Sequence, residues 1–370
     1  MKTFRIPVGM TVVAIVAAVA IGGPKVGLIV ALLAVLEISI SFDNAIVNAA
    51  VLKGMTAKWQ QIFLTWGILI AVFGMRLVFP IVIVAAAAGL AIPDVVDQAL
   101  NNPALYAHNL KDANAIIAAF GGTFLLMVFL GFFLDGEKDT NWFRIEKPLA
   151  GIGKIDSIAP AIAGGVLLAL SQLVDPSKKT DVLVAGLAGL VAHLLASGVA
   201  DRLEPDVDEE ADEPAEPTAQ ERAAEAAMTP QARAAAASAL AKGGLASFLY
   251  LELLDASFSF DGVIGAFAIS KDILVIAVGL GLGALYIRTL TVFLVRQGVL
   301  GEYRYLEHGA HWAIGVLAVL LFLGIDHHIP EVVTGLIGAA LIIAAFLSSL
   351  YANRKDDRIA GNAEDAPAAA

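Results

Sequence analysis

Apolar runs of about twenty residues recur along the whole chain, and a helix of that length matches the hydrocarbon thickness of a bilayer. Ten segments can be marked, at about 8–22, 26–52, 60–88, 114–134, 157–174, 181–200, 244–269, 272–296, 309–325 and 331–351. Irregular backbone facing lipid leaves polar groups without partners, so each run is read as a helix. The two-residue alternation of a membrane β-barrel is absent. The expected class is all-α, a polytopic transmembrane helical bundle of about ten spans. Only 16% of residues are charged and 58% are hydrophobic, which lies outside the range of soluble domains.

The few charges set the expected orientation. With the N-terminus in the cytoplasm, 17 Lys and Arg residues fall in inner loops and tails and five in outer loops, while Arg76 and Arg288 lie inside apolar segments. Such an excess of positive charge on one side orients membrane proteins, so both termini are expected on the cytoplasmic side of the cell membrane. Lys2 and Arg5 before segment 8–22 fit a signal peptide or a retained first helix, and the helix is preferred. Much of the formal charge of −11 comes from the stretch 204–225, and no basic patch accompanies it, so no nucleic-acid partner is expected. Cysteine is absent, which excludes disulfides and thiolate sites for soft metals.

The chain divides on this basis into an N-terminal helix (1–25), a first transmembrane unit (26–135), an additional helix pair (136–200), a cytoplasmic linker (201–242), a second transmembrane unit (243–351) and a cytoplasmic tail (352–370). The linker begins acidic and Pro-containing, the composition of a solvated tether. Its second half is Ala-rich and is expected to form a surface helix.

One internal match stands out. The run Leu36-Glu37-Ile38-Ser39-Ile40-Ser41-Phe42-Asp43-Asn44 aligns with Leu254-Asp255-Ala256-Ser257-Phe258-Ser259-Phe260-Asp261-Gly262 at an offset of 218 positions. An acid, two serines, a phenylalanine and an aspartate recur at identical spacing. Each motif segment is followed by one carrying an intramembrane arginine, Arg76 or Arg288. With ten spans the motif segments cross the membrane in opposite directions, so two inverted-topology repeats with a site near the midplane are expected.

A carboxylate inside a span costs several kcal/mol, and Glu37, Asp43, Glu252, Asp255 and Asp261 all fall in apolar segments. Two arginines against five acids leave three negative charges unless cations or protons neutralise them. Glu37, Ser41, Asn44 and Asn48 fall on one helical stripe, whereas Asp43 faces elsewhere unless the helix breaks around Ser39–Asp43. Carboxylate, hydroxyl and amide oxygens without sulfur suit Mn²⁺, Mg²⁺ or Ca²⁺. The expected metal set is Glu37, Asp43, Asn44, Glu252, Asp255 and Asp261, supported by Ser41, Asn48, Ser259, Arg76 and Arg288. The plainer alternative pairs each acid with an arginine as structural glue. His193 is expected to be packed, Asp326-His327-His328 to lie in an outer loop, and His308 and His311 to sit at the membrane interface. No phosphate loop, nucleophile elbow or zinc-protease helix is present, so no enzyme is expected.

These motifs resemble the TerC family of integral membrane proteins, named for tellurium resistance and including Alx-type manganese exporters. The resemblance rests on EISISFDNA at 37–45, DASFSFDGVIGAFAI at 255–269, the two arginines and the Gly-containing third helix of each half, across about 26–135 and 244–350. The second motif departs from the family pattern with Gly262 and Ile264, where a polar residue and a proline are usual. The resemblance implies Mn²⁺ export, sometimes linked to pH, with Glu37, Asp43, Asn44, Asp255 and Asp261 handling the metal. The expected function is a secondary transporter exporting a divalent cation, coupled to protons. Its partners would be the bilayer, the cation, protons and a second copy of the chain, with the linker's partner open. A channel or a metal-stress scaffold is the alternative.

Overall fold

The computed structural model describes residues 4–203 and 230–364, apart from 137, 139, 154, 156 and 328, and the side chains of Ser259 and Asp261 are not among those described. The acidic stretch 204–229 and His328 therefore lie outside the described residues. Among the described residues the regular structure is all helix, with no strand, and forms an all-α membrane bundle. Among them, seven helices have the length and composition to cross a bilayer.

Helix α1 (Arg5–Ile40) contains one non-helical residue, Gly23, at φ +80°. That conformation is open to glycine, and Pro24 removes the next backbone donor. The helix folds back there, so that Ala14, Ile15 and Ala18 pack against Val30 and Ala34. The expected segments 8–22 and 26–52 are thus the arms of a hairpin, and the second arm ends at a break before α2 (Phe42–Lys53). Helix α3 (Ala57–Leu69) continues through a π-helical stretch (Ile70–Val78) into α4 (Phe79–Ala88).

Two helices absent from the sequence expectation follow: α5 (Ile92–Asn101) and α6 (Pro103–Asp112). Each has a proline in its first turn, where the missing N–H costs nothing, and the Asn102 side chain caps α6 by accepting from the Leu105 N–H at 3.3 Å. Then come α7 (Asn114–Leu134), the short α8 (Glu146–Ile152), α9 (Ile158–Leu173) and α10 (Lys179–Leu203).

Beyond the linker, α11 (Pro230–Ile269) runs without interruption from the Ala-rich segment through the second motif. Residues 230–243 of that segment are helical, as expected, and continuous with the motif helix. The remaining helices are α12 (Ile273–Arg296), α13 (Val299–Glu302), α14 (Leu306–Leu323) and α15 (Glu331–Glu364). Helix α12 is central: it packs against α1, α2 and the π-helical stretch, while α11 packs against that stretch as well. Each motif helix therefore lies against the arginine segment of the other half. Large side chains on the outer face of α1, such as Val13 and Ile21, are exposed, as expected of a helix that faces lipid.

Candidate functional site

The site begins where the first motif helix breaks. Isoleucine and serine alternate from Ile38 to Ser41, and both are poorer helix formers than alanine or leucine. Ser39 Oγ donates to the Val35 carbonyl at 2.8 Å, a bond that bends helices. At Ser41 the backbone leaves helical geometry, with φ −96° and ψ 16°. The break anticipated between Ser39 and Asp43 is present. Its consequence is that the two acids diverge. Glu37, on the upstream side, pairs with Arg76 and accepts from Ser41 Oγ at 3.1 Å. Asp43 starts the new helix, where the positive end of the helix dipole favours an anion, and accepts the Asn44 N–H at 3.0 Å. Its other oxygen faces Gly338 on α15, where an added Cβ would stand 3.2 Å away.

Arg76 lies in the π-helical stretch for an identifiable reason. Pro80 has no N–H to offer the Arg76 carbonyl, so the α-helical ladder cannot run through this turn. The Phe79 N–H bonds instead to Gly74, five residues back. π-helical turns of this kind are frequent at functional sites. The Arg76 guanidinium donates to the Ala71 carbonyl at 2.9 Å and to Glu37, and its Nη1 stands 3.9 Å from Asp255 Oδ2.

The second arginine is held more tightly. Arg288 makes two bonds to the Glu252 carboxylate, at 2.8 and 2.9 Å, and a third to Asp255 Oδ2 at 3.3 Å. Its guanidinium also stacks 4.2 Å from the Phe63 ring centroid. Gly67 supplies the room, since a Cβ there would collide with Arg288 Nη1 and Glu252. Gly283 does the same for Glu37.

Five charged groups thus form one chain of contacts, Glu37–Arg76–Asp255–Arg288–Glu252, with Asp255 joining the two halves of the molecule. All five are buried. With every group ionised the chain carries one excess negative charge, and Asp43 adds a second with no cationic partner among the described residues. The Nε atoms of both arginines find no acceptor.

The residues anticipated from sequence therefore separate into two places. Glu37, Glu252 and Asp255 meet around Arg76 and Arg288, and Ser41 joins them through Glu37. Asp43 lies beyond the break, with Asn44 and Asn48 on the same short helix. Asp261 and Ser259 fall outside the described side chains. Among the described residues, no three His, Asp or Glu side chains stand in metal-holding geometry.

His193 is packed as expected, edge-on to the Phe124 and Tyr250 rings. His308 and His311 lie in the first two turns of α14, buried among protein side chains. His308 Nδ1 lies 2.8 Å from Glu146, a buried acid that sequence reasoning missed. Glu146 also accepts the Trp312 indole N–H at 2.8 Å and the N–H groups of Trp142 and Phe143. It ties the turn at Trp142 and Phe143 to α14. Its His308 and Trp312 partners are more than 160 positions away, so no local pattern marks it.

A family model described as a protein of unknown function, DUF475, matches residues 42–356. An uncharacterized membrane protein, YceF, of Bacillus subtilis (strain 168) is 36% identical over 115 residues, covering 30% of this chain and 42% of that relative. The matched part thus spans less than half of the relative's length. No solved structure matches.

Proposed function

The chain belongs to the DUF475 family, and from that premise we propose that it is a secondary transporter that exports a divalent cation, Mn²⁺ first, across the cell membrane in exchange for protons. The observation that carries the proposal is the excess negative charge of the buried cluster together with Asp43, an intramembrane acid without a cationic partner among the described residues. Ionisable groups in the membrane interior mark ion or proton pathways far more often than they serve as filler. The resemblance of both motifs to TerC-type proteins supports the same reading. So does the break at Ser41, since interrupted helices lie at the substrate sites of many transporters.

In this mechanism Asp43 and the amide oxygen of Asn44 receive the ion after it sheds part of its water. The arginine-bound acids Glu37, Asp255 and Glu252 hold the two halves together. A cation near Glu37 competes with Arg76 for the carboxylate, and loss of the Arg76–Asp255 contact loosens one half from the other. Moving two charges outward against 100 mV costs about 4.6 kcal/mol, so export requires a driving ion. Protons that neutralise Asp43 and Asp261 on the return step provide it. Catalysis has no part in the proposal.

A second reading has a specific observation behind it. Three of the acids are already bound to arginines, which is the arrangement of a rigid membrane scaffold rather than a carrier. Mn²⁺ uptake into inside-out vesicles separates the two. Asp43→Asn and Asp261→Asn are each expected to lower uptake by roughly tenfold or more while leaving the folded protein extractable in detergent. Undiminished uptake in both variants removes the site assignment, and absence of uptake by the wild type favours the scaffold.

A further inference from the structure

Asn48 presents a puzzle that the charge cluster does not resolve. Its side chain is fully buried, and neither the amide oxygen nor the amide nitrogen has a hydrogen-bond partner. A buried amide without partners is destabilising, and a leucine or alanine would remove the cost. Its neighbours Ala45, Ile46, Val47 and Ala49 are all buried apolar core, so nothing about the surroundings calls for an amide. Asn48 lies one turn beyond Asn44 on the same face of α2, and Asn44 follows Ser41, which bonds to Glu37. The polar line thus runs from the charge cluster, across the helix break, to Asn48. One turn further on that face is Leu52, which is fully buried in an apolar cluster with Met55 and Phe63.

We propose that Asn48 is a station for a cation on its path between the charge cluster and the Lys53 end of α2, and that Leu52 is the apolar seal closing the path there. Amide oxygens are ordinary ligands of hard divalent cations, and apolar constrictions close membrane pathways by excluding water. The inference rests on the transporter reading for the identity of the cation, but the path itself can be probed without any metal flux.

The chain contains no cysteine, so single thiols can be introduced into the otherwise unaltered protein. Asn48→Cys is treated with a water-soluble, membrane-impermeant methanethiosulfonate reagent, alone and combined with Leu52→Ala. Ala49→Cys, buried on a different face, serves as the reference in both backgrounds. Asn48→Cys is expected to react at least tenfold faster than Ala49→Cys once Leu52 is trimmed, and Mn²⁺ is expected to slow the reaction. Equal reactivity at the two positions, or reactivity that Mn²⁺ does not change, overturns the proposal.

Asn48→Leu gives a second readout. It is expected to raise the thermal unfolding temperature in detergent while lowering Mn²⁺ uptake at least tenfold. Uptake within twofold of wild type overturns the assignment. If wild-type vesicles take up no Mn²⁺ at all, the transporter reading fails, whereas thiol labelling still reports whether solution reaches Asn48.

Discussion

The two arginines occupy equivalent places after the two motif helices, yet they are held very differently. Arg288 is bound by two acids of its own half, Glu252 with two bonds and Asp255 with a third, and Phe63 of the other half covers the guanidinium face. Arg76 has one acid of its own, Glu37, and reaches Asp255 of the other half only at 3.9 Å. The sequence difference behind this is small. Glu252 aligns with Ala34, so the first half lacks the second acid. The backbone differs in the same sense, since the second motif lies in an unbroken helix while the first is interrupted at Ser41. One half is thus a fixed anchor, and the other has a guanidinium whose partners can be exchanged.

If that contrast holds, removing Arg288 is the most damaging single change. Arg288→Met leaves Glu252 and Asp255 buried without their cation, which costs about 3–5 kcal/mol. Arg76→Met strands a single buried acid, Glu37, and is expected at the lower end of that range, about 3 kcal/mol. Chemical unfolding of both variants in detergent micelles measures the gap. Equal losses would erase the distinction between anchor and exchangeable partner.

A smaller effect is expected at Pro80. Pro80→Ala restores an N–H to the Arg76 carbonyl and lets the α-helical ladder close through residues 70–78. Going from five-residue to four-residue spacing turns Arg76 by roughly 100° about the helix axis, away from Glu37. Uptake should fall, while the lost Glu37 pair (about 3 kcal/mol) and the relief of a proline inside the helix (about 3 kcal/mol) largely offset each other in stability. Slower amide hydrogen exchange across 70–78 would show that the ladder had closed. Unchanged uptake in a variant with that protection would mean that the π-helical geometry does not position Arg76.

Much of this architecture was legible in the residues themselves. The apolar runs marked the helices because spanning length and hydropathy are local properties. The acids and arginines stood out because charge in an apolar run is expensive wherever it occurs. Helical periodicity puts Glu37 and Asp43 on different faces of an unbroken helix, which leaves two options, a break near Ser41 or two separate sites; the structure has the break and separate partners for the two acids. What remained hidden depends on partners distant in sequence. Helices α5 and α6 are short and amphipathic, and resemble a loop when only spanning runs are sought. Glu146 finds its histidine and indole on a helix from the other half. The pairing of Arg76 with Asp255 depends on how the halves dock. Likewise, Gly67 and Gly283 acquire meaning only once Arg288 and Glu37 are packed against them.

The finest test of the contrast lies in the serines. Ser39 and Ser257 are aligned, and each donates to the carbonyl four residues earlier, at 2.8 and 3.0 Å. Such bonds satisfy the hydroxyl locally and hold nothing else, so alanine at either position should change stability by less than about 0.5 kcal/mol. Ser41 is different, because its hydroxyl donates to Glu37 across the break. Ser41→Ala should cost about 1 kcal/mol and free one lone pair on the carboxylate that Arg76 also uses. A carboxylate with one donor fewer is placed less firmly against Arg76, so Mn²⁺ uptake should fall in Ser41→Ala and stay unchanged in Ser39→Ala and Ser257→Ala. Unchanged uptake in all three variants would show that the bond across the break is a local cap, without influence on how Glu37 meets Arg76.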